Sequence, residues 1–346
     1  MVPCQELYQE GRKQLTEAGI GEAALDARLL LEYACGITHE LLLAHPDKPV
    51  AKEAAKAYLE LIAQRAKRVP VAYLTKTQEF MGLTFKVNEN VLIPNPDTET
   101  LVEAALKCLQ GDKRDRSGGD KGDGFKCHLN SKVTFGPVPF VTSTTTDDTV
   151  RILDLCTGSG CVGLSLLHYS TGTTLVATDI SEDALHVARE NAHALGLAER
   201  AAFVCCDVYP SESRGTGTLT HFSQCREQPT VSAEKRVSVP VPMTHRYNLI
   251  VANPPYIATD VIETLAPEVK CAEPRLALDG GADGLAFYRR ILKDIETYLA
   301  PGGSLVVEIG FDQGNAVAEM FRAAGLKNVK ILKDLNGLDR VVAGHR

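Results

Sequence analysis

The sequence predicts an open, doubly wound α/β sheet that is preceded along the chain by a small all-α bundle. In the later part of the 346-residue chain, short apolar runs alternate with amphipathic segments, which is the pattern of repeated βαβ units. The runs are continuously apolar, as in parallel strands that are covered on both faces. Residues 5–68, by contrast, carry apolar positions at helical spacing throughout.

The amino-terminal segment is predicted to form three helices. Leu7 and Leu15 lie on the apolar stripe of the first, the second ends at Gly36, and the third covers 51–68. We assign residues 1–75 to a helical domain that docks a macromolecular substrate. A purely structural cap is the alternative that these residues leave open.

A β-hairpin is predicted next, because apolar residues alternate from 79 to 93 around Asn88-Glu89-Asn90. We assign residues 76–96 to this hairpin and interpret it as the linker to a second domain, residues 97–346. That domain begins with a helix that Asp97 or Thr98 can cap.

Two polar, low-complexity stretches interrupt the second domain, at 111–149 and 211–245. Both are rich in Ser, Thr, Gly and charged residues, without a clean apolar period. Such segments bury too little apolar surface to offset the entropy lost on ordering. We predict that both insertions are disordered.

The rest of the second domain is predicted to form strands that alternate with helices, followed by a final antiparallel hairpin at the sheet edge. The predicted strands are 150–155, 174–178, 201–205, 247–252, 304–309, 329–333 and 340–343. The predicted helices are 161–169, 182–195, 285–299 and 316–324.

Composition narrows the class of protein. Hydrophobic residues make up 44% and charged residues 23%, and the formal net charge is -7, so no overall basic footprint for nucleic acid is present. The ten cysteines form no Cys-x-x-Cys pair, which favours reduced thiols in the cytoplasm. No apolar run approaches the length of a membrane span. We expect a monomeric cytoplasmic protein without membrane or direct nucleic-acid binding and without a metal.

Three successive strand ends carry residues suited to an adenosine group. The first strand runs into Cys156-Thr157-Gly158-Ser159-Gly160, where glycines let the backbone approach a ligand and turn into a helix. Asp179 ends the second strand, where a carboxylate can accept both ribose hydroxyls. Asp207 follows the third strand and can reach an adenine amine. Each acid alone is more often a helix cap, but the ordered set predicts a nucleoside cofactor at this edge.

A dinucleotide site is the alternative for the same loop. The stretch from Gly158 to Gly163 also fits the Gly-x-Gly-x-x-Gly fingerprint, with Asp179 at the position of an NAD ribose acid. Two observations argue against a dinucleotide site. Asp154 precedes the glycines, and no arrangement of His or Lys residues suited to hydride transfer follows. The alternative function from a different class of enzyme is an NAD-dependent oxidoreductase.

The stretch Asn253-Pro254-Pro255-Tyr256 directly follows the predicted strand 247–252. Neither proline can donate a hydrogen bond, and each fixes its φ, so the turn is stiff and its carbonyls are free. The proline after Asn253 also restricts that residue. The result is a rigid patch of acceptors beside the Tyr256 ring, suited to a planar NH2 group. The alternative interpretation is an ordinary proline-rich turn after a core strand, without a binding role.

These motifs resemble those of S-adenosylmethionine-dependent amino-methyltransferases with a Rossmann-like sheet. Further pieces are similar to one branch, the HemK/PrmC-type N5-glutamine methyltransferases of peptide chain release factors. They are the helical bundle, 92–99 (Leu-Ile-Pro-Asn-Pro-Asp-Thr-Glu), 272–278 (Ala-Glu-Pro-Arg-Leu-Ala-Leu), 283–285, 308–310 and 339–342. The resemblance covers nearly the whole chain apart from the two insertions.

The resemblance implies methyl transfer from S-adenosylmethionine to the glutamine amide of a Gly-Gly-Gln loop in release factors. Cys156 to Gly160 would wrap the methionine and ribose, Asp179 the ribose, and Asp207 with Val208 the adenine. Asn253, Pro254, Pro255 and Tyr256 would bind the substrate amide. Asn253, Pro254 and Tyr256 would serve catalysis, with Asn253 also bordering the cofactor. We assign no catalytic acid or base.

Other substrates for the same chemistry stay open. They are a ribosomal-protein glutamine and the exocyclic amine of a DNA base, although no basic cleft or target-recognition domain is evident. A catalytically dead binding module is disfavoured by intact Asn253, Asp179 and glycine loop.

The chain departs from the family pattern at two positions. Position 156 is Cys where the general motif has Gly, which is tolerable if its φ is negative. Position 95 is Asn where the family usually has Arg between two prolines, which puts substrate affinity in question rather than the chemistry.

Overall fold

A computed structural model describes residues 1–110, 149–210 and 246–346. The predicted insertions, 111–149 and 211–245, lie outside the described residues except at Thr149, so their disorder stays a prediction. The contacts divide the chain into two units. We call Met1–Pro96 with Pro255–Phe287 the helical unit, and Asp97–Pro254 with Tyr288–Arg346 the sheet unit. The grouping of 255–287 with the amino-terminal residues has no counterpart in the predicted domain boundaries, which stay a prediction.

The helices and strands are numbered in chain order. The helices are α1 Cys4–Glu17, α2 Ala23–Cys35, α3 His39–Ala44, α4 Lys52–Ala66, α5 Val71–Thr75, α6 Glu99–Gln110, α7 Cys161–Tyr169, α8 Glu182–Ala194, α9 Pro267–Lys270, α10 Arg275–Leu278, α11 Ala286–Lys293, α12 Ile295–Tyr298 and α13 Gly314–Ala323. The strands are β1 Val2–Pro3, β2 Pro49–Val50, β3 Thr77–Phe80, β4 Leu83–Lys86, β5 Val150–Leu155, β6 Thr173–Asp179, β7 Ala201–Cys205, β8 Tyr247–Ala252, β9 Leu299–Glu308, β10 Lys327–Lys333 and β11 Asp339–His345.

Helices α1, α2 and α4 pack around one apolar core in the helical unit. Leu15, Leu30 and Ile62 are fully buried in it. Gly11 lets α1 approach α4, because a Cβ there would lie 1.9 Å from Tyr58 Oη. The prediction of an amino-terminal helical bundle is confirmed.

A cluster of charged side chains joins the α2–α4 packing to α9 within the same unit. Arg65 Nε donates to Asp26 Oδ2 over 2.7 Å, and both side chains are 10% exposed. Glu268 of α9 accepts from Arg68 Nη1 at 3.0 Å and from the Arg65 guanidinium at 3.4 Å. Burial raises the pKa of Glu268, but the hydrogen bond from Arg68 and the two positive charges outweigh it and lower the pKa overall. The cluster therefore fixes α9 against the bundle.

The hairpin turn lies nearer the amino terminus than predicted. Strands β3 and β4 pair from Thr77↔Lys86 to Phe80↔Leu83, which places Met81 and Gly82 in a two-residue turn. Both turn residues have positive φ, 52° and 71°, as a tight hairpin requires. Asn88, the predicted centre, instead accepts a hydrogen bond from the Asn90 N–H at 2.9 Å beyond the hairpin. That placement in the sequence analysis was wrong because Asn-rich turns need not join strands.

The sheet unit contains a seven-stranded sheet in the order β10-β11-β9-β8-β5-β6-β7. Strands β7, β6, β5, β8 and β9 run parallel. Strand β11 pairs antiparallel with both β9 and β10. The predicted doubly wound sheet with an antiparallel edge hairpin is confirmed.

One predicted helix, 285–299, is divided in the structure. Helix α11 ends at Lys293 and α12 begins at Ile295, with Asp294 between them at φ -112° and ψ 10°. The apolar periodicity runs through both pieces, so the break left no signal in the pattern. No helix in residues 1–110, 149–210 and 246–346 combines the length and apolar character that crossing a bilayer requires.

Candidate active site

The candidate site lies at the carboxyl edge of the sheet, where β5 and β8 are neighbours. The order reverses there, since β6 and β7 extend the sheet on one side and β9 on the other. Doubly wound sheets bind ligands outside the strand ends at such a switch point. Leu155 and Ala252 are register partners, so Cys156 and Asn253 leave the sheet at the same level. The predicted cofactor loop and the predicted substrate motif therefore begin side by side, on strands about 4.8 Å apart.

The loop from Cys156 to Gly160 is tied to its neighbours by backbone groups. The Thr157 N–H donates to Thr178 O of β6 at 2.9 Å, and the Gly160 N–H donates back to Thr157 O at 2.9 Å. Asn191, buried on α8, donates through Nδ2 to Ser159 O over 2.9 Å. The loop is thus held from two elements and presents a fixed backbone.

Asp154 connects this loop to α7 through its carboxylate. Its Oδ2 accepts from Thr157 Oγ1 at 2.6 Å and from the Gly163 N–H at 3.0 Å. Burial raises the pKa of Asp154 to about 7, against these two hydrogen bonds, which lower it. A Cβ at Gly163 would lie 2.7 Å from the same oxygen. Asp154 and Gly163 are therefore structural parts of the site rather than ligand groups.

Cys156 does not meet the condition of a negative φ under which a Cys at this position is tolerable. Its φ is 56°, in the left-handed region that favours glycine. The condition is not met because this loop must turn sharply from β5 towards α7, whatever side chain stands there. Burial raises the pKa of the Cys156 thiol, so it is held as a neutral thiol.

The sign of φ at position 156 can be measured by comparing two variants. We expect Cys156→Gly to be more stable than Cys156→Ala by about 1 kcal/mol, because both lose the thiol but only alanine keeps the left-handed strain. Denaturant unfolding of the two proteins checks this. If φ were negative, alanine would be the more stable by about 0.4–1 kcal/mol.

Asp179, at the end of β6, faces the glycine loop. Its Oδ2 accepts from the Gly158 N–H at 2.9 Å, and its Oδ1 accepts from the Ser181 N–H at 2.9 Å. Burial raises the pKa of Asp179. Each carboxylate oxygen has a further lone pair beyond these bonds. The carboxylate is thus oriented and keeps acceptor capacity for a ligand hydroxyl.

Asp207 and Val208 follow β7 at the same edge. Asp207 forms an ion pair with Arg290 of α11 and remains half-exposed. Val208 is buried and has a φ of 69°, which is unusual for a β-branched residue. Thr178 Oγ1 donates to Val208 O at 3.0 Å, which helps to hold this conformation. Any adenine contact of Asp207 therefore shares its carboxylate with Arg290.

Asn253, at the end of β8, contacts the turn before α6. Its Nδ2 lies 3.3 Å from Thr98 Oγ1, and Thr98 is buried. The chain passes from the sheet unit to the helical unit after Pro254. Pro255 and Tyr256 belong to the helical unit, where a Cβ on Gly280 would lie 2.8 Å from both Pro255 O and Tyr256 Cα.

Sequence reasoning missed three side chains that support the predicted site residues: Thr98, Asn191 and Arg290. Thr98 was interpreted only as a helix cap, and Arg290 gave no signal. Asn191 was detectable, because a polar residue on the face of α8 that also buries Ala188 and Ala192 needs an internal partner.

The sheet order, the glycine loop and Asp179 at the end of β6 are typical of Rossmann-like folds, which bind nucleoside cofactors at this edge of the sheet. Residues 152–221 match the family model described as a methyltransferase domain, and residues 6–75 match the one described as the PrmC N-terminal domain. The class is therefore that of the methyltransferases.

Three curated relatives carry the description "Release factor glutamine methyltransferase". That of Caulobacter vibrioides is 35% identical over 97% of this chain and 94% of its own length. Those of Cereibacter sphaeroides and Moorella thermoacetica are 37% and 36% identical, over 95% and 97% of this chain and 94% and 96% of their own. The chain belongs to the release factor glutamine methyltransferase family, which sets aside the NAD-dependent oxidoreductase.

Proposed function

We propose that this chain transfers a methyl group from S-adenosylmethionine to the side-chain amide nitrogen of the glutamine in the Gly-Gly-Gln motif of release factors. The glycine loop and Asn253 begin side by side at the switch point, and this observation carries the proposal. Methyl transfer requires the cofactor and the substrate amide at one place. Membership of the family supports the choice of substrate.

The residues present fit such a cofactor. A Cβ added to Gly158 would meet no atom within 4 Å, so this side of the loop is open. The Gly158 N–H also orients the Asp179 carboxylate. Cys156 to Gly160 would hold the methionine and ribose part, Asp179 the ribose, and Asp207 with Val208 the adenine. When bound, the cofactor supplies an electrophilic methyl group on a sulfonium.

The substrate amide is a poor nucleophile, since its nitrogen lone pair is delocalised into the carbonyl. The Asn253 carboxamide oxygen and the Pro254 carbonyl can each accept one of its N–H groups. These acceptors localise electron density on nitrogen, and they face the positive charge that develops there. Preorganised dipoles are most effective at such developing charge, so Asn253 and Pro254 are the proposed catalytic groups, and Tyr256 of the same motif is assigned to catalysis with them.

Positioning supplies a second part of the rate enhancement. Holding the amide nitrogen at contact distance from its reaction partner contributes on the order of 7–11 kcal/mol in well-oriented reactions. The stiff Pro254-Pro255 backbone suits this task, because its φ angles are fixed before substrate arrives. A general base is not assigned, since the methylated amide is acidic enough to lose its proton late.

The helical bundle is the proposed docking element for the release factor. Its interior is closed by an apolar core, and its ion cluster binds α9 of the segment that follows the substrate motif. Docking there would bring a protein substrate to the residues that follow Pro254 along the chain. This role, like the individual ligand contacts, is part of the proposal.

The proposal is tested by incubating the full chain with methyl-labelled S-adenosylmethionine and, separately, intact release factors, ribosomal protein and DNA. We expect label on the glutamine of the Gly-Gly-Gln motif, located by mass spectrometry. The Asn253→Ala protein is the matched control and should label the same glutamine about 10²–10³-fold more slowly. Label on ribosomal protein or DNA alone would overturn the substrate while keeping the chemistry.

A further inference from the structure

The buried hydroxyl of Thr98 is the strongest feature that the proposed mechanism does not yet use. Thr98 lies in the turn Pro96–Thr98 that leads into α6, and it is 1% exposed. Its Oγ1 is 3.3 Å from Nδ2 of Asn253, a residue 155 positions away in the sequence. The contact joins the start of the sheet unit to the end of β8.

This contact bears on the one property that Asn253 needs for the reaction. A carboxamide has an acceptor end and a donor end of nearly the same shape, and its terminal torsion has broad, roughly two-fold preferences. The neighbouring Pro254 restricts the Asn253 backbone but not that torsion. A hydrogen-bond partner at one end of the carboxamide limits this rotation and keeps the other end towards the substrate.

With Nδ2 donating to Thr98, Oδ1 is the end left to accept an N–H of the substrate amide. In the reverse orientation the Asn253 NH2 group would face the NH2 group of the substrate, donor against donor. That orientation cannot localise electron density on the substrate nitrogen. The structure places Nδ2, and not Oδ1, against the Thr98 hydroxyl, so the contact as observed holds the productive orientation.

The turn that carries Thr98 is itself anchored to the sheet. Asp97 Oδ2 lies 3.1 Å from Nη2 of Arg340 on β11. The same guanidinium donates to Asp334 Oδ2 at 3.0 Å and 3.2 Å, and the Asp334 side chain is 1% exposed. This arrangement fixes the residue next to Thr98, so the hydroxyl can hold a defined position against Asn253.

We propose that Thr98 is a positioning residue that sets the orientation of the Asn253 carboxamide for methyl transfer, and that the Asp97–Arg340 pair holds its turn. The inference rests on the proposed function for its kinetic consequence. Its structural part, the contact between Thr98 and Asn253, can be tested without any substrate.

The kinetic test compares Thr98→Val, which keeps the shape and removes the hydroxyl, with Thr98→Ser, which keeps the hydroxyl. We expect kcat for methyl transfer to fall about tenfold in Thr98→Val, the effect of one hydrogen bond. The KM for the release factor and the Kd for S-adenosylmethionine should change by less than about twofold, well below the tenfold that one such bond represents. Thr98→Ser should restore most of the lost kcat. A wild-type kcat in Thr98→Val, or an equal loss in Thr98→Ser, overturns the inference.

A second measurement follows the Asn253 side-chain amide directly by ¹H–¹⁵N NMR, with its signals assigned by their loss in Asn253→Ala. We expect Thr98→Val to shift these signals and speed their exchange with water, and Thr98→Ser to leave them near their wild-type positions. Unmoved signals in Thr98→Val overturn the inference whatever the substrate is. If wild-type protein labels no release factor, the proposed function fails, and the NMR comparison still decides the Thr98 contact.

Discussion

Asn253→Ala is expected to lower kcat for methyl transfer by about 10²–10³-fold, the loss seen when one preorganised electrostatic contact to a reacting group is removed. Without the carboxamide, the substrate amide loses the acceptor that orients one N–H and meets the developing charge. The glycine loop and Asp179 do not depend on this side chain, since their hydrogen bonds run to Thr178, Gly158 and Ser181. The Kd for S-adenosylmethionine should therefore remain within about threefold, less than one tenfold step in binding.

Single-turnover methylation of a release factor gives the rate, and calorimetric titration gives the cofactor affinity. Asn336→Ala is the matched control, because Asn336 is an exposed asparagine in the turn between β10 and β11. It should behave as wild type in both measurements. A large loss of cofactor affinity in Asn253→Ala would contradict the role given to Asn253, because the site would then depend on it for binding rather than for chemistry.

The pattern of apolar runs was sufficient to predict the sheet. Parallel strands buried on both faces leave continuous apolar stretches, and the βαβ alternation restricts how they connect. Helix α7 and strand β5 have the predicted bounds for that reason. The hairpin at Met81-Gly82 was misplaced, since loose alternation does not show where a chain reverses and two asparagines gave a competing turn signal.

The candidate site was predictable only where it follows strand ends. Asp179 and Asn253 could be assigned because a strand end fixes which edge of the sheet a residue occupies. Thr98 could not, because its contact with Asn253 depends on how α6 packs on the sheet, which no local pattern records. The φ of Cys156 was likewise a property of the loop path and not of the side chain.

Arg65→Met is expected to lower the free energy of unfolding by about 3–5 kcal/mol, because it leaves a buried carboxylate without its charge partner. Counted as whole residues, Asp26 and Arg65 are 7% and 8% exposed, and Arg65 Nε is 2.7 Å from Asp26 Oδ2. Glu268 would retain Arg68 but lose its second cation. Denaturant unfolding followed by far-UV circular dichroism measures the change.

Two further variants separate the loss of the ion pair from the loss of a large side chain. Lys13→Met is the matched control, because the Lys13–Glu17 pair spans 4.0 Å with both side chains about two-thirds exposed, at 67% and 66%. Its effect should stay within about 0.5 kcal/mol. The double variant Asp26→Leu with Arg65→Met should be more stable than Arg65→Met alone, because apolar replacement of both partners removes the stranded charge. Equal stability of the single and double variants would show that packing of the Arg65 stem, and not its charge, holds α4 to α2.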